Sequence, residues 1–448
     1  MRNLLILHLE SIAMQRFAEF AQAFPHVRRM FAESLVFDRF FASATSTTMV
    51  MSYLFHGNDF EFDPSPEFES MQPQGNNPHL FSLLAARGYR SHLLCLNGFQ
   101  HVRPIRAKPW ARELPPLFDT ADFPALFAKF DELTDGADRA PFAIYVWDLI
   151  SHVEHSLALA PQASGLTDQI FRACGVADDA IGRMRATLER KGLLDDTTIV
   201  LFGDHGDDWS HGYKGGMIHG TEPYTNVIRA PLAIRDARVA PGVVERLAST
   251  IDLAPTCLGL LGIDAALPFT PSGVDLMRNA PEIVYAQNYT ANQPDDREKG
   301  IVQAYAAVDD TYALIASSRG LELYAYRLDA GNHCNLLHLL ERDARGHWTL
   351  PFRPRAAGHF RAALQENPQA VEHIVRAQAK LSAALLARVE QKRAYIASRG
   401  VQPAHTLARE AFDRVNAQGR DAFFGPVAQG GVQAPPAIPS FEFSYKLR

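Results

Sequence analysis

Four short apolar runs in this chain stop abruptly at a polar or charged residue, and that pattern limits the folds open to it. Leu4 to Leu9 stops at Glu10, and His92 to Leu96 at Asn97-Gly98. Phe142 to Trp147 stops at Asp148, and Thr198 to Phe202 at Gly203-Asp204-His205. Short runs with hardly a polar side chain suit strands buried on both faces, as in a parallel sheet. Helix-like stretches lie between them, such as 78–87 closed by Gly88 and 166–191 closed by Gly192. Alternating strand and helix predicts a doubly wound, mostly parallel α/β domain with its ligands at the carboxyl ends of the strands. Glu10, Asp148 and Asp204 stand at those ends, so the chemistry is expected there.

The texture changes near residue 300. Short alternating patterns over 300–315 and 320–327 predict a smaller antiparallel subdomain. Residues 366–399 read as a helix with Ile374, Leu381, Leu385 and Val389 on one face, suited to packing on the body or on a partner subunit. Residues 418–448, rich in Gly, Pro and Gln, read as an extended tail. The expected division is 1–295 for the catalytic α/β domain, 296–345 for the small sheet, and 346–448 for a helical region and tail. Those helices and tail are the expected route to a homo-oligomer.

Composition narrows the classes. With 47% hydrophobic and 21% charged residues, the chain is globular and not disordered. Its 44 Lys+Arg against 50 Asp+Glu leave no basic surplus for nucleic acid. No apolar run is long enough for a membrane span. Cys95, Cys174, Cys257 and Cys334 form no CxxC pair and read as reduced thiols. A soluble, cytoplasmic protein is expected.

The densest chemistry lies in Gly203-Asp204-His205-Gly206-Asp207, followed by His211, Lys214 and His219. Adjacent Asp and His at a strand end can set a carboxylate and an imidazole on one divalent cation, and the glycines let the backbone turn sharply beside it. The sequence continues to Ile228-Arg229-Ala230-Pro231-Leu232 and Ile251-Asp252-Leu253-Ala254-Pro255-Thr256. Upstream stand 3–10, the Leu80 to Gly88 stretch with Tyr89-Arg90-Ser91, and the Ser/Thr-rich 45–57. Downstream stand Leu321 to Tyr324, Asp329 and Asn335-Leu336.

Taken in order, these segments resemble the sulfatase family of the alkaline phosphatase superfamily, over about residues 1–340. The resemblance implies an alkaline phosphatase-like fold and a metal-dependent hydrolase of phosphoric or sulfuric esters. Sulfatases carry Cys-x-Pro-x-Arg, whose Cys becomes formylglycine. Here Thr47 stands at that position with no Cys, Pro or Arg, so formylglycine is not expected. The segment instead resembles the threonine nucleophiles of phosphoethanolamine transferases and pyrophosphatase-type phosphodiesterases, with Ser46 and Thr48 as alternative nucleophiles. The Lys that holds sulfate after the Gly-Tyr strand is also missing, since Cys95-Leu96-Asn97-Gly98 stands there. The single Glu10 resembles manganese- or zinc-dependent phosphotransferases more than calcium-binding sulfatases with paired aspartates.

By that resemblance, Glu10, Thr47, Asp204 and His205 hold a divalent cation, Mn²⁺ or Zn²⁺ before Ca²⁺ or Mg²⁺. Thr47 attacks the phosphorus of a small-molecule phosphoester or phosphonate ester. His152 and His219 assist proton transfer or, with Asp148, form a second metal site. His211 and Lys214 meet the substrate oxyanion. Glu154 and His155 read as a solvated helix face, and 59–77 as a surface loop or a lid. The rival readings are a sulfate ester hydrolase, a soluble phosphoryl transferase and a non-catalytic binding protein.

Overall fold

The computed structural model describes residues 1–59, 79–96, 114–120, 122–136, 140–148, 151–152, 162–207, 219, 222–264, 273–288, 304–317, 320–345, 347–349 and 369–398. The chain begins β1 (Asn3–Leu9), α1 (Met14–Glu19), α2 (Pro25–Ala32), β2 (Leu35–Phe41), α3 (Thr47–His56) and α4 (Leu80–Ala86). It continues β3 (Arg90–Leu96), β4 (Leu117–Thr120), α5 (Phe123–Thr134), β5 (Phe142–Asp148), α6 (Leu166–Arg190) and β6 (Thr197–Gly203). The main body closes with α7 (Thr225–Ile228), β7 (Leu232–Arg235), β8 (Gly242–Ser249) and α8 (Leu253–Leu260).

Eight of these strands form one sheet in the order β4-β3-β5-β1-β6-β7-β2-β8. β7 alone runs antiparallel to its neighbours β6 and β2, and every other pairing is parallel. The doubly wound, mostly parallel α/β fold expected from the apolar runs is therefore present. β1 is the centre, with β5 on one side and β6 on the other, and Leu9 stands opposite both Asp148 and Gly203. That register brings the three acidic strand ends to one crest.

Period-2 alternation assigns each central side chain to one of two cores. Leu4 and Ile6 join Tyr145, Trp147, Val200 and Phe202 on the face covered by α3 and α8. Leu5, Leu7 and Leu9 join Ile144, Val146, Ile199 and Leu201 on the face covered by α2 and α6. Burying one such side chain contributes roughly 1.5–3 kcal/mol, which holds β1 in register against a one-residue slip.

A second sheet, β12-β11-β10-β9, is fully antiparallel, with β9 (Val284–Gln287), β10 (Tyr305–Val308), β11 (Ala313–Ser317) and β12 (Gly320–Tyr324). Its first strand lies ahead of residue 296. Ala306, Val308 and Ile315 face the main core, whereas Ala307, Leu314 and Leu323 face the helix α9 (Ala370–Ser398). The helical stripe read from sequence packs there, with Ile374, Leu381 and Leu385 buried against this sheet of the same chain. Among the described residues, no helix is long and apolar enough to cross a membrane. Residues 60–77 of the expected lid, the loop at 97–113, Glu154, His155 and the tail at 418–448 lie outside the described residues.

Candidate active site

α3 is buried almost all round and points its N-terminus at the crest of β1, β5 and β6. Gly57 ends it in the left-handed region (φ 63°), a conformation that costs glycine nothing. Ser46 precedes the helix in extended conformation and makes no side-chain capping bond.

Thr47, the first residue of α3, brings the crest together. Its hydroxyl donates to Glu10 Oε1 at 2.6 Å and lies 3.0 Å from His205 Nε2. Ser46 and Thr48 make no comparable contact among the described residues. Glu10 Oε2 accepts from the indole Nε1–H of Trp147 at 2.6 Å. Asp204 Oδ1 accepts from the backbone N–H of Ser11 at 2.9 Å, and its Oδ2 lies 3.3 Å from His205 Nε2. Ser11 has φ 55°, an unusual conformation for a side-chain-bearing residue, held here by that bond.

The glycines of Gly-Asp-His-Gly are needed for close approach. A Cβ on Gly203 would stand 2.3 Å from the carbonyl oxygen of Ile12, and one on Gly206 would stand 2.3 Å from Ala13 Cβ. The segment after β1 thus crosses directly over the end of β6, which sets Glu10 beside Asp204.

The charge balance fits a cation. Glu10 and Asp204 are 1% and 0% exposed. Burial pushes the Glu10 carboxyl well above the usual range, and the neighbouring Asp204 adds to the shift. Burial also acts to raise Asp204, but His205, His8 and the Ser11 N–H outweigh it and hold the carboxyl low. Burial lowers the His205 imidazole, leaving a neutral ring suited to ligation. Asp204 Oδ2 has no hydrogen-bond partner among the described residues. An orphaned buried carboxylate oxygen beside a second carboxylate, an imidazole and a hydroxyl is the donor set of a divalent cation.

A second group flanks the first. His219 packs tilted against His205 with ring centroids 4.6 Å apart, and His152 meets His219 edge-on at 5.4 Å. His219 Nδ1 meets Asp207 Oδ1 at 2.9 Å. Burial would raise Asp207, yet its bond to His219 keeps it ionised. Asp148 follows Trp147 on β5, so alternation turns it to the opposite face of the sheet, where its charge reaches Cys174 of α6. Its Oδ2 accepts from Ser151 Oγ, which also donates to the Glu10 carbonyl. Among the described residues, Asp148, His152 and His219 do not form a set with ligand atoms within 4.8 Å of one another, whereas His8, Glu10 and Asp204 do. His205 Nε2 stands outside that set, joined to it through Asp204 Oδ2 at 3.3 Å and Thr47 Oγ1 at 3.0 Å. His211 and Lys214 lie outside the described residues.

Sequence reasoning passed over Trp147, Asp207 and His8. Asp207 stood in the open, three residues after Asp204. His8 was the lone imidazole in an apolar strand, two residues before Glu10 and hence on the same face.

The sequence model of the sulfatase family matches residues 2–263, more than half of the chain. The chain belongs to the sulfatase family. Lipoteichoic acid synthase 2 of Bacillus subtilis (strain 168) is 27% identical over 179 residues, covering 39% of this chain and 26% of that one. Bovine (Bos taurus) arylsulfatase A is 37% identical over 203 residues, covering 41% and 37%. The match thus spans from about a quarter to somewhat over a third of those relatives' lengths. The solved phosphonate monoester hydrolase SpPMH of Silicibacter pomeroyi superposes with a TM-score of 0.54 at 14% identity, over 78% of this chain and 99% of that one. At such identity the likeness shows a shared fold, the alkaline phosphatase-like fold expected from the sequence.

Proposed function

We propose that this sulfatase-family protein is a cation-dependent hydrolase of phosphate or phosphonate esters, with Thr47 as nucleophile. The observation that carries the reading is the Thr47 hydroxyl, 2.6 Å from Glu10 Oε1 and 3.0 Å from His205 Nε2 at the head of a buried helix. Its likenesses to a phosphonate monoester hydrolase and a lipoteichoic acid synthase agree with that chemistry. The match to an arylsulfatase favours sulfate esters as the second reading. A threonine where that chemistry needs a formylglycine precursor argues against it. Transfer to an acceptor other than water is a variant of the same first step.

Glu10, Thr47, Asp204 and His205 would hold the cation. When bound, it supplies Lewis-acid polarisation of the ester oxygens and lowers the pKa of the Thr47 hydroxyl. Thr47 Oγ1 attacks phosphorus in line as its proton passes to Glu10 Oε1, while the bond to the leaving alkoxide breaks. Backbone N–H groups at the start of α3 face the equatorial oxygens. His219, fixed by Asp207, protonates the leaving oxygen. His219, neutral after that transfer, or His152 beside it then takes a proton from the water that releases phosphate, and Glu10 returns a proton to the freed Thr47 oxygen. One cation suffices for these steps, and Asp148, turned to the other face, is left to hold Ser151.

A panel of nitrophenyl phosphate monoester, phosphate diester, phosphonate and sulfate, each with Mn²⁺, Zn²⁺ and Ca²⁺, tests the reading. The phosphorus esters should turn over. Turnover of the sulfate alone would reverse it.

A further inference from the structure

The imidazole of His8 has no place in the steps above, yet the fold spends considerable structure on it. It lies on β1 two residues before Glu10, and alternation sets both on the α3 face of the sheet. Its ring is held between Trp147, nearly parallel (4°) at 5.9 Å, and Phe202, at 22° and 5.0 Å. Two aromatic walls leave only the ring edge free to make polar contacts. On one side of that edge, Nδ1 meets the hydroxyl of Tyr145 at 2.8 Å. On the other, Nε2 is buried with no hydrogen-bond partner among the described residues.

The surroundings of Nε2 show what it faces. Asp204 Oδ2, itself without a hydrogen-bond partner, is 3.3 Å away, and Glu10 Oε2 is 3.6 Å away. The nearer contact lies within ion-pair reach of Asp204, but the ring N–H direction lines up with neither oxygen as a hydrogen bond would. Two ligands of one cation, each at about 2.0–2.2 Å, stand roughly 3.0–3.6 Å apart, which matches both contacts. Asp204 Oδ2 is also 3.3 Å from His205 Nε2. The same orphaned oxygen therefore lies between two imidazole nitrogens. A buried imidazole nitrogen with no partner is unfavourable unless something fills the space it faces. Tyr145 can accept from Nδ1–H, the outer partner that orients a ligating histidine.

We propose that His8 is a further ligand of the active-site cation, so that the seat holds two imidazoles, His8 and His205, with Glu10, Asp204 and Thr47. This rests on the cation seat proposed above and extends it to metal selection. Two nitrogen donors favour Zn²⁺, and Mn²⁺ less strongly, over Ca²⁺ and Mg²⁺, which prefer all-oxygen sites. The second imidazole thus gives the chain its own basis for choosing the ion.

The test uses the full chain stripped with chelator and titrated with Mn²⁺ and Ca²⁺, without substrate. Pulsed electron paramagnetic resonance of the Mn²⁺ form counts directly bound imidazole nitrogens, and two are expected. His8→Gln should leave one and weaken Mn²⁺ binding by at least about tenfold, with Ca²⁺ binding little changed. One nitrogen in the wild type, or unchanged Mn²⁺ affinity in folded His8→Gln, overturns the inference while leaving the cation seat standing. Failure of the seat itself reads differently: Asp204→Asn would then bind Mn²⁺ as the wild type does. If His8→Gln does not fold, the wild-type nitrogen count decides alone. Tyr145→Phe, which keeps the ring, should weaken Mn²⁺ binding through loss of the Nδ1 partner.

Discussion

The indole of Trp147 donates to Glu10 Oε2 at 2.6 Å, across the parallel pairing of β5 with β1. It is the only polar atom of that side chain, and it leaves Glu10 Oε1 to Thr47. Trp147→Phe keeps the aromatic wall and removes the donor. Loss of a partner outside the metal's ligands typically costs about 10–100-fold in metal affinity. Calorimetric titration of the variant with Mn²⁺ should show a loss in that range with a native unfolding profile. Unchanged affinity would mean that Glu10 is oriented by something else.

In the proposed mechanism Asp207 acts through His219. Its carboxylate, 2.9 Å from Nδ1, selects the tautomer that presents the opposite nitrogen. In Asp207→Asn the ring loses that control. A positioned acid–base group contributes about 10²–10⁴-fold, so kcat should fall toward that extent with KM and Mn²⁺ affinity nearly unchanged. A loss confined to KM would place His219 in substrate binding instead.

Asp252 gives the fold a pH dependence. It accepts from the backbone N–H groups of Ser249 and Val274, which staple the start of α8 to the segment after it. Burial nevertheless drives its carboxyl up to about 7, against those donors and Arg388. An unfolded aspartate titrates near about 3.9. Between these values the folded state holds the extra proton. Stability is therefore fully present below about pH 4 and is lost as pH rises to about 7, by on the order of 4 kcal/mol. Denaturant unfolding of wild type and Asp252→Asn across pH 4–8 isolates the contribution. The wild type should lose stability relative to the variant as pH rises, and parallel profiles would contradict the assignment.

Arg388 of α9 reaches across to Asp59, just past the end of α3, and both side chains are buried. Its guanidinium also lies 5.1 Å over the Tyr285 ring. Breaking a buried pair from one side costs about 3–5 kcal/mol, because the remaining charge is stranded. Arg388→Met should destabilise by about that much, and adding Asp59→Asn should recover part of it. Additive losses would show that the two residues are not coupled.

The carboxyl-end acids were legible because a strand buried on both faces leaves its first polar residue at the crest, and Glu10 and Asp204 are such residues. Thr47 was legible by its place in an ordered series of motifs. What the sequence hid follows from the pleat. Asp148 ends its strand like the others but is one residue out of phase with Glu10, and so faces Ser151 and α6. Trp147 and His8 looked like core because they are core, each with one polar atom aimed at the site. The small sheet begins at β9 rather than near 300, since Val284–Gln287 is too short to announce itself by periodicity.

The central claim is that Thr47 carries the phosphoryl group. Rapid quenching of the Mn²⁺-loaded protein during turnover of a nitrophenyl phosphodiester or phosphonate, followed by peptide mass spectrometry, measures it most directly. A phosphorus adduct on the Thr47 peptide, formed and lost at catalytic rates, is expected, with neither adduct nor turnover in Thr47→Ala. Turnover that persists in Thr47→Ala, or an adduct on another residue, would contradict it.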